Sequence, residues 1–392
     1  MSPIPVKTKV YWAMTRSIVA RIAKALADGN EDTPVPSPSG YALPDRKRLQ
    51  GRIDGFLSGA DPGRVPARLR RDIARVMGAL YDDTSDRQRF GHFAPEAVII
   101  ADGSRPVFFF ENDRLVARGA PDGPFVEAAL AASGMLEQAA LSVGRIETFD
   151  LPAPARIDVH YEGTCFLVAP DLVMTNRHVV ERMVRNPFIP HGPWQLRNEY
   201  WVNFDGQLGG AGRRFRIDAV AWMPPDPIGN RTDFARLDMA LLRIGAPQDI
   251  LIAKPAPLAV TATRPARDQI AALVGFPGSA RIYSGPEPPP AHFELERVLF
   301  DIFDNRFGYK RCASGRITAP VGQHPRDTRK WAVAHDLSTL GGNSGSPLLV
   351  LGGGEMPVAS ALHFHGEARR ANYAHVFEQL GPQLAAHGIA LT

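Results

Sequence analysis

One short loop of the sequence presents a serine between glycines, directly before an apolar run. Residues 341–347 read GGNSGSP, and the run LLV follows. A serine hydroxyl is inert at neutral pH unless a base removes its proton, and the oxyanion that its attack creates needs N–H donors aimed at it. The two glycines before the asparagine free the backbone to turn such amides inward. Ser344 is therefore a candidate nucleophile, and the N–H groups of Gly342 and Ser344 are the candidate oxyanion donors.

A histidine that could act as the base stands at the end of a predicted hairpin. Residues 163–168 (GTCFLV) and 172–180 (LVMTNRHVV) are apolar runs separated by a turn. They predict a hairpin that ends at His178. A neutral imidazole there could take the serine proton. The alternative, a surface histidine without a role, is disfavoured by its place at the end of an apolar hairpin.

The acid that would orient this imidazole should lie on a buried strand. Asp238 heads the apolar run DMALLRI, where a carboxylate is costly to bury unless it accepts a hydrogen bond, for example from an imidazole. Asp233 is the alternative, but it precedes the run as a turn residue. The three candidates follow one another along the chain in the order His, Asp, Ser.

The elements around these residues divide the chain into three parts. From residue 143 to the C-terminus, short strands alternate with Gly, Pro and Asp turns, which is typical of a β-barrel or sandwich. Residues 93–142 read as a small α/β segment, with a hairpin of 97–101 and 106–110 and a helix over 125–141. Residues 1–92 carry helical patterns over 8–27 and 69–80, joined by a Pro-rich connector.

Composition indicates a globular protein in a reducing compartment. The chain has 392 residues, 44% of them hydrophobic and 22% charged, and only two cysteines. The apolar stretch near the N-terminus is interrupted by Arg16, Arg21 and Lys24, unlike a secretory leader. No window is long and apolar enough for a membrane span. We therefore expect a cytoplasmic protein that does not bind membranes.

The net charge of +4 arises near the N-terminus, since residues 1–92 hold 16 basic and 10 acidic residues. Such a bias can attract nucleic acid or an acidic protein. The arginines between residues 68 and 75 follow a helical spacing with an aspartate among them, which favours a solvated helix face. We expect no nucleic-acid binding, and we expect residues 1–92 to be the site for a regulatory protein partner.

The segments that carry His178, Asp238 and Ser344 resemble the corresponding segments of the trypsin/chymotrypsin-like peptidase family, particularly of its bacterial glutamyl endopeptidase branch. Two further matches are residues 274–278 (VGFPG) and 314–318 (SGRIT). The resemblance covers roughly residues 143–388 and implies an all-β peptidase domain of two six-stranded barrels, with the catalytic groups in the cleft between them. It implies nothing about residues 1–120.

The resemblance also suggests where substrate binds. In the family, the pocket floor is shaped by residues five or six before the serine and by the strand after it. Here these are Ser338, Thr339, His363, Phe364, His365 and Gly366. No carboxylate falls at the floor, which disfavours cleavage after Lys or Arg. Thr339 and His363 match the hydroxyl and imidazole that receive an acidic side chain in glutamyl endopeptidases.

Other interpretations of the histidines stay open. His363 and His365 alternate along one predicted strand and should share a face, so they could form a packed pair without contact to substrate. Two such histidines without a third ligand are a weak zinc signal. We expect no metal and no cofactor.

One residue departs from the animal members of the family that are activated by cleavage. In those proteins an aspartate before the serine pairs with a new N-terminus. Asn343 stands there and cannot form that ion pair.

The sequence thus predicts a serine endopeptidase that acts on protein or peptide substrates through an acyl-enzyme and is regulated through its N-terminal region. A catalytically idle peptide-binding or scaffold protein is the alternative, and a hydrolase of esters or thioesters is a third possibility.

Overall fold

The computed structural model describes most of the chain from residue 104 onwards. The described residues are 104–117, 122–149, 159–207, 212–228, 233–247, 253–278, 302–304, 306–352, 354, 356–367 and 371–392. The helices predicted in residues 1–92 and the strand predicted at 97–101 lie outside them. None of the helices among the described residues is long and apolar enough to cross a membrane.

The segment before the barrels contains two strands and two helices. They are β1 (Val107–Glu111), β2 (Arg114–Val116), α1 (Pro124–Ala131) and α2 (Ser133–Leu141). The strand predicted at 106–110 is confirmed, but it forms its hairpin with β2, through Asn112 and Asp113 at φ 50° and 60°. Asn and Asp tolerate this left-handed conformation better than other side chains. The helix predicted over 125–141 is interrupted at Ala132, directly before Ser133 and Gly134, which are weak helix formers.

Six antiparallel strands close the first barrel in the order β3-β4-β5-β8-β7-β6. Their bounds are β3 (Val143–Phe149), β4 (Val159–Ala169), β5 (Leu172–Thr175), β6 (Tyr200–Asn203), β7 (Arg214–Trp222) and β8 (Ala240–Pro247), and the short helix α3 (Arg177–Met183) follows β5. In β7, Phe215 and Ile217 are buried whereas Arg216 and Asp218 face outward, which is the two-residue alternation of a strand with one buried face.

A second barrel follows, in the order β10-β13-β15-β16-β12-β11, and the pairing of β10 with β11 closes it. Its strands are β10 (Ile270–Gly275), β11 (Arg311–Ala319), β12 (Ala332–His335), β13 (Pro347–Val350), β15 (Ala361–Glu367) and β16 (Ala371–Val376). The short strands β9 (Ala259–Val260) and β14 (Val358–Ala359) pair in parallel beside it, and a 3₁₀ turn (Glu378–Leu380) and α4 (Gly381–Ala385) follow. The predicted double barrel is confirmed.

Each barrel has its own apolar core, and a further buried cluster joins both barrels to the preceding segment. Representative members are Leu167 and Leu242 in the first barrel, Leu273 and Leu348 in the second, and Leu136, Phe166 and Val274 in the shared cluster. In addition, β1 pairs with β11 and so extends the sheet of the second barrel. The α/β segment therefore packs against the barrels, because its apolar faces are buried in the shared cluster.

Candidate active site

The candidate base stands in the first turn of a helix. The sequence predicted a hairpin whose second strand ends at His178, but β5 ends at Thr175 and α3 begins at Arg177. This part of the prediction is wrong, because short apolar runs do not distinguish a strand from a buried helical turn. The side chain of Asn176 holds the junction by donating to the backbone oxygen of Asp238 at 2.8 Å.

Asp238 binds His178 twice. The distance between His178 Nδ1 and Asp238 Oδ2 is 2.6 Å, and the backbone N–H of His178 donates to Asp238 Oδ1 at 2.9 Å. Burial alone would raise the pKa of the Asp238 carboxyl, but the charge of His178 and these hydrogen bonds outweigh it, so its pKa lies below the ordinary value. The carboxylate is thus charged and holds the imidazole ring in one orientation.

The alternative acid lies elsewhere. Asp233 accepts a hydrogen bond from the backbone N–H of Ala235 at 2.9 Å and pairs with Arg236 at 3.0 Å. Its side chain is 42% exposed. These are the contacts of a turn residue, and the structure brings Asp238 to His178 instead.

A second histidine lies behind Asp238. The backbone N–H of Asp238 donates to Nε2 of His375 at 3.2 Å, so that nitrogen carries no proton. His375 is fully buried, and its ring stacks on Phe364 with centroids 4.0 Å apart. Burial lowers the pKa of His375 to about 4, against the opposing effects of Asp238 and the Trp331 backbone. A neutral histidine here fixes the backbone of Asp238 without competing for its carboxylate.

The serine loop depends on glycines with positive φ. Gly342 has φ 99° and Gly345 has φ 90°, a region where other residues are strained. A Cβ on Gly345 would lie 2.0 Å from the backbone oxygen of Thr164, and one on Gly342 would lie 2.6 Å from that of Phe276. The glycines of the motif therefore serve the backbone path and the close approach of the first barrel.

Two peptide groups of this loop are oriented by their carbonyl oxygens. The oxygen of Gly341 accepts from the N–H of Gly278 at 2.5 Å, and the oxygen of Asn343 accepts from the N–H of Ser346 at 2.9 Å. In a trans peptide the C=O and the following N–H point in opposite directions. The N–H groups of Gly342 and Ser344, the predicted oxyanion donors, are therefore turned away from these partners.

Thr164 links the serine loop to the first barrel. Its N–H donates to the backbone oxygen of Ser344 at 2.9 Å, and its hydroxyl donates to that of Gly342 at 2.7 Å. Its own carbonyl accepts from the Thr175 hydroxyl at 2.7 Å. Sequence reasoning assigned no role to Thr164, although it lies in the GTC segment, because its partners come from the other barrel.

The serine loop and the histidine helix meet at Gly163. A Cβ on Gly163 would lie 3.0 Å from Val179 Cγ2 and 3.2 Å from the backbone oxygen of Ser344. Val179 follows His178 in α3, so this glycine allows the two segments to approach each other. Ser344 is 1% exposed and the His178 side chain is 19% exposed.

Five of the six predicted pocket residues are buried, and the two histidines do not share a face. A β-bulge between His363 and His365 breaks the alternation of β15. His363 is fully buried, and its Nδ1 lies 3.2 Å from Nε2 of His335. His365 is half-buried, and its ring is nearly parallel to that of Tyr373, with centroids 6.3 Å apart.

His335 is thus a partner of His363. It was missed from the sequence because it lies on a different strand, β12, and meets His363 on β15 only in the folded chain. Burial and the neighbouring His363 place the pKa of His335 well below its ordinary value. Among the other predicted pocket residues, Ser338, Thr339, Phe364 and Gly366 are also buried. Within the described residues, no group of three or more His, Cys, Asp and Glu side chains could hold a metal ion.

Comparison with known proteins gives matches to serine proteases. A family model described as a trypsin-like peptidase domain matches residues 163–356. A probable serine protease of Lysobacter enzymogenes is 34% identical over an alignment of 315 residues, and the match covers 75% of each chain.

Similar solved structures include neuropsin, a serine protease expressed in the limbic system of mouse brain, and a protease of M. tuberculosis in its active form. Neuropsin is 14% identical with a TM-score of 0.41 and covers 64% of this chain and 96% of its own. The M. tuberculosis protease is 19% identical with a TM-score of 0.38 and covers 67% of this chain and 87% of its own.

We expect His375→Gln to reduce the acid sensitivity of the fold. Because the pKa of His375 is about 4 when folded and 6.5 ordinarily, the unfolded chain binds this proton at higher pH. The stability from this site is complete above pH 6.5 and is lost as the pH falls towards 4, by about 2–3 kcal/mol. Urea unfolding at pH 7 and 4.5 should show a smaller loss in the variant, and an equal loss in both proteins would contradict the prediction.

Proposed function

Because the chain belongs to the trypsin-like family of serine proteases, we propose that it is an endopeptidase with His178, Asp238 and Ser344 as its catalytic triad. The observation that carries this proposal is the pair of hydrogen bonds from His178 to Asp238, 2.6 and 2.9 Å long. A carboxylate in this position keeps the proton on Nδ1 and leaves Nε2 to act as the base.

The reaction follows from these roles. Nε2 of His178 takes the Ser344 proton as the hydroxyl oxygen attacks the scissile carbonyl, and the N–H groups of Gly342 and Ser344 hold the oxyanion. The imidazolium then gives its proton to the leaving amine, and an acyl-enzyme on Ser344 remains. Water, activated by the same histidine, hydrolyses the acyl-enzyme. The cycle needs no metal or cofactor.

Replacement of the nucleophile tests the triad. We expect Ser344→Ala to reduce peptide turnover by about three orders of magnitude or more, since the triad acts as a unit. Ser346→Ala provides a matched control, because Ser346 lies in the same loop and is fully buried. A fluorophosphonate, which labels only activated serines, should label Ser346→Ala and leave Ser344→Ala unlabelled. Ser344→Ala activity within about tenfold of the parent would refute the assignment, and an unlabelled parent would favour an idle binding protein.

We further propose that the enzyme cleaves after acidic residues. Thr339 and His363 match the glutamyl endopeptidase pattern, and no carboxylate stands at the predicted floor. The contact with His335 supports this role: if Nε2–H of His335 donates to Nδ1 of His363, Nε2 of His363 becomes the donor nitrogen. A donor of this kind can form a charge-assisted hydrogen bond with a carboxylate.

A peptide library tests the preference. Cleavage after Glu or Asp should exceed cleavage after Lys or Arg, and His363→Ala should reduce that preference by about tenfold, which corresponds to one charge-assisted hydrogen bond. His365→Ala is the matched control, since its ring lies against Tyr373, and we expect it to retain most of the preference. Dominant cleavage after Leu, Ala or a basic residue would contradict this proposal.

The N-terminal region is proposed to restrain the enzyme or to recruit a partner. An unrestrained endopeptidase in the cytoplasm would digest its own cell, and free, buried Cys165 and Cys312 suit that compartment. Because β1, β2, α1 and α2 pack on the barrels, we assign this role to residues 1–92. Restraint to one per cent of full activity requires a preference of about 3 kcal/mol for the inactive arrangement.

Removal of residues 1–92 should therefore raise kcat/KM, by up to about 100-fold if restraint is complete. The measurement compares the full chain with residues 93–392 on the same peptide. Circular dichroism and active-site titration should confirm that both proteins are folded. Equal activity, together with no binding partner recovered on residues 1–92, would contradict both proposed roles.

A further inference from the structure

Arg105, which precedes both barrels, is buried against the second one. Its Nη2 donates to Oδ2 of Asp336 at 2.6 Å, and the two side chains are 8% and 5% exposed. The guanidinium also lies over the ring of Phe125, 4.2 Å from its centroid. A buried arginine is costly without a partner of opposite charge, so Arg105 and Asp336 depend on each other.

Asp336 has a fixed place at the end of β12. Its Oδ1 accepts from the backbone N–H of Arg316 at 2.8 Å, and the Arg316 guanidinium lies 3.6 Å from Oδ2. A Cβ on Gly315 would lie 2.6 Å from Asp336 Oδ1 and 3.2 Å from Arg105 Cδ. The glycine thus leaves the space that this buried ion pair fills.

Arg105 also holds the residues that follow Asp336. Its backbone oxygen accepts from the Ser338 hydroxyl at 3.0 Å. On the same stretch, the backbone oxygen of Leu337 accepts from Asn372 at 2.6 Å. Thr339, which follows Ser338, is fully buried. Arg105 therefore fixes the loop of residues 336–339 at two points, one on either side of Leu337.

We infer that Arg105 is a positioning residue for the substrate pocket. The inference rests on the proposed function, in which Ser338 and Thr339 form the pocket floor. Both members of this ion pair belong to the uncut chain, so they hold the loop without a newly cleaved N-terminus. Asn343 has no carboxylate with which such an N-terminus could pair. A displaced floor weakens contacts that substrate makes equally in the ground state and the transition state, which raises KM and leaves kcat nearly unchanged.

The test uses the full chain and separates substrate binding from serine activation. Arg105→Met removes the guanidinium, and Arg105→Met with Asp336→Asn also removes the charge left behind while keeping an acceptor for the Arg316 N–H. Arg105→Lys retains the positive charge. Arg114→Ala is the control, because Arg114 lies in the same segment and its exposed side chain pairs with Glu137 at 2.8 Å.

We expect the double variant to raise KM for an acidic peptide by about tenfold or more, with kcat and the rate of fluorophosphonate labelling within about threefold of the parent. Arg105→Lys should recover most of the loss, and Arg114→Ala should behave as the parent. If Arg105→Met alone does not fold, the double variant decides.

Three results would overturn the inference. Unchanged KM in folded variants means that the pair does not position the pocket. Failure of the double variant to fold, or parallel loss of labelling, kcat and melting temperature, means that the pair serves only the fold. A parent that neither cleaves peptides nor reacts with the fluorophosphonate would refute the proposed function and this inference together, whereas an active parent with unchanged variants refutes this inference alone.

Discussion

The negative charge of Asp238, 3% exposed to solvent, is the constraint on which the arrangement of the candidate site depends. A buried carboxylate must receive hydrogen bonds that replace water. His178 supplies two of them, one from its ring and one from its backbone. Because the backbone donor lies in the first turn of α3, the charge fixes the helix as well as the imidazole. Asn176 and His375 fix the backbone of Asp238 on either side without taking up its carboxylate oxygens.

The second constraint is the contact between the barrels. His178 and Asp238 belong to the first barrel and Ser344 to the second, so their relation depends on how the barrels meet. Thr164 connects them by binding the backbone oxygens on both sides of Asn343. The glycines at 163 and 345 allow this approach. A Cβ at 345 would collide with the Thr164 oxygen at 2.0 Å, and one at 163 would crowd the Ser344 oxygen at 3.2 Å. The conformation of the glycine loop therefore depends on its contacts with the first barrel as well as on its own backbone turn.

The segment before the barrels contributes to its surroundings in three ways. Its apolar residues complete a buried cluster, and β1 extends the sheet through β11. It also brings a buried arginine to the loop before the serine. Buried ion pairs contribute little net stability, but they disfavour alternative arrangements because either charge alone is costly. A directional contact of this kind suits a loop whose position matters more than its stability.

The sequence alone determined the residue types and their order. The glycine loop of Ser344, the apolar run after Asp238 and the alternating strands are local patterns, so neighbouring residues encode them. Only the tertiary structure decided which groups meet. Arg105 and Asp336 are separated by 231 residues, and Thr164 and Gly342 by 178, and no local pattern carries such a pairing. Three features were missed because each is set by packing against distant strands. They are the helical turn at His178, the bulge after His363, and the contact of His363 with His335.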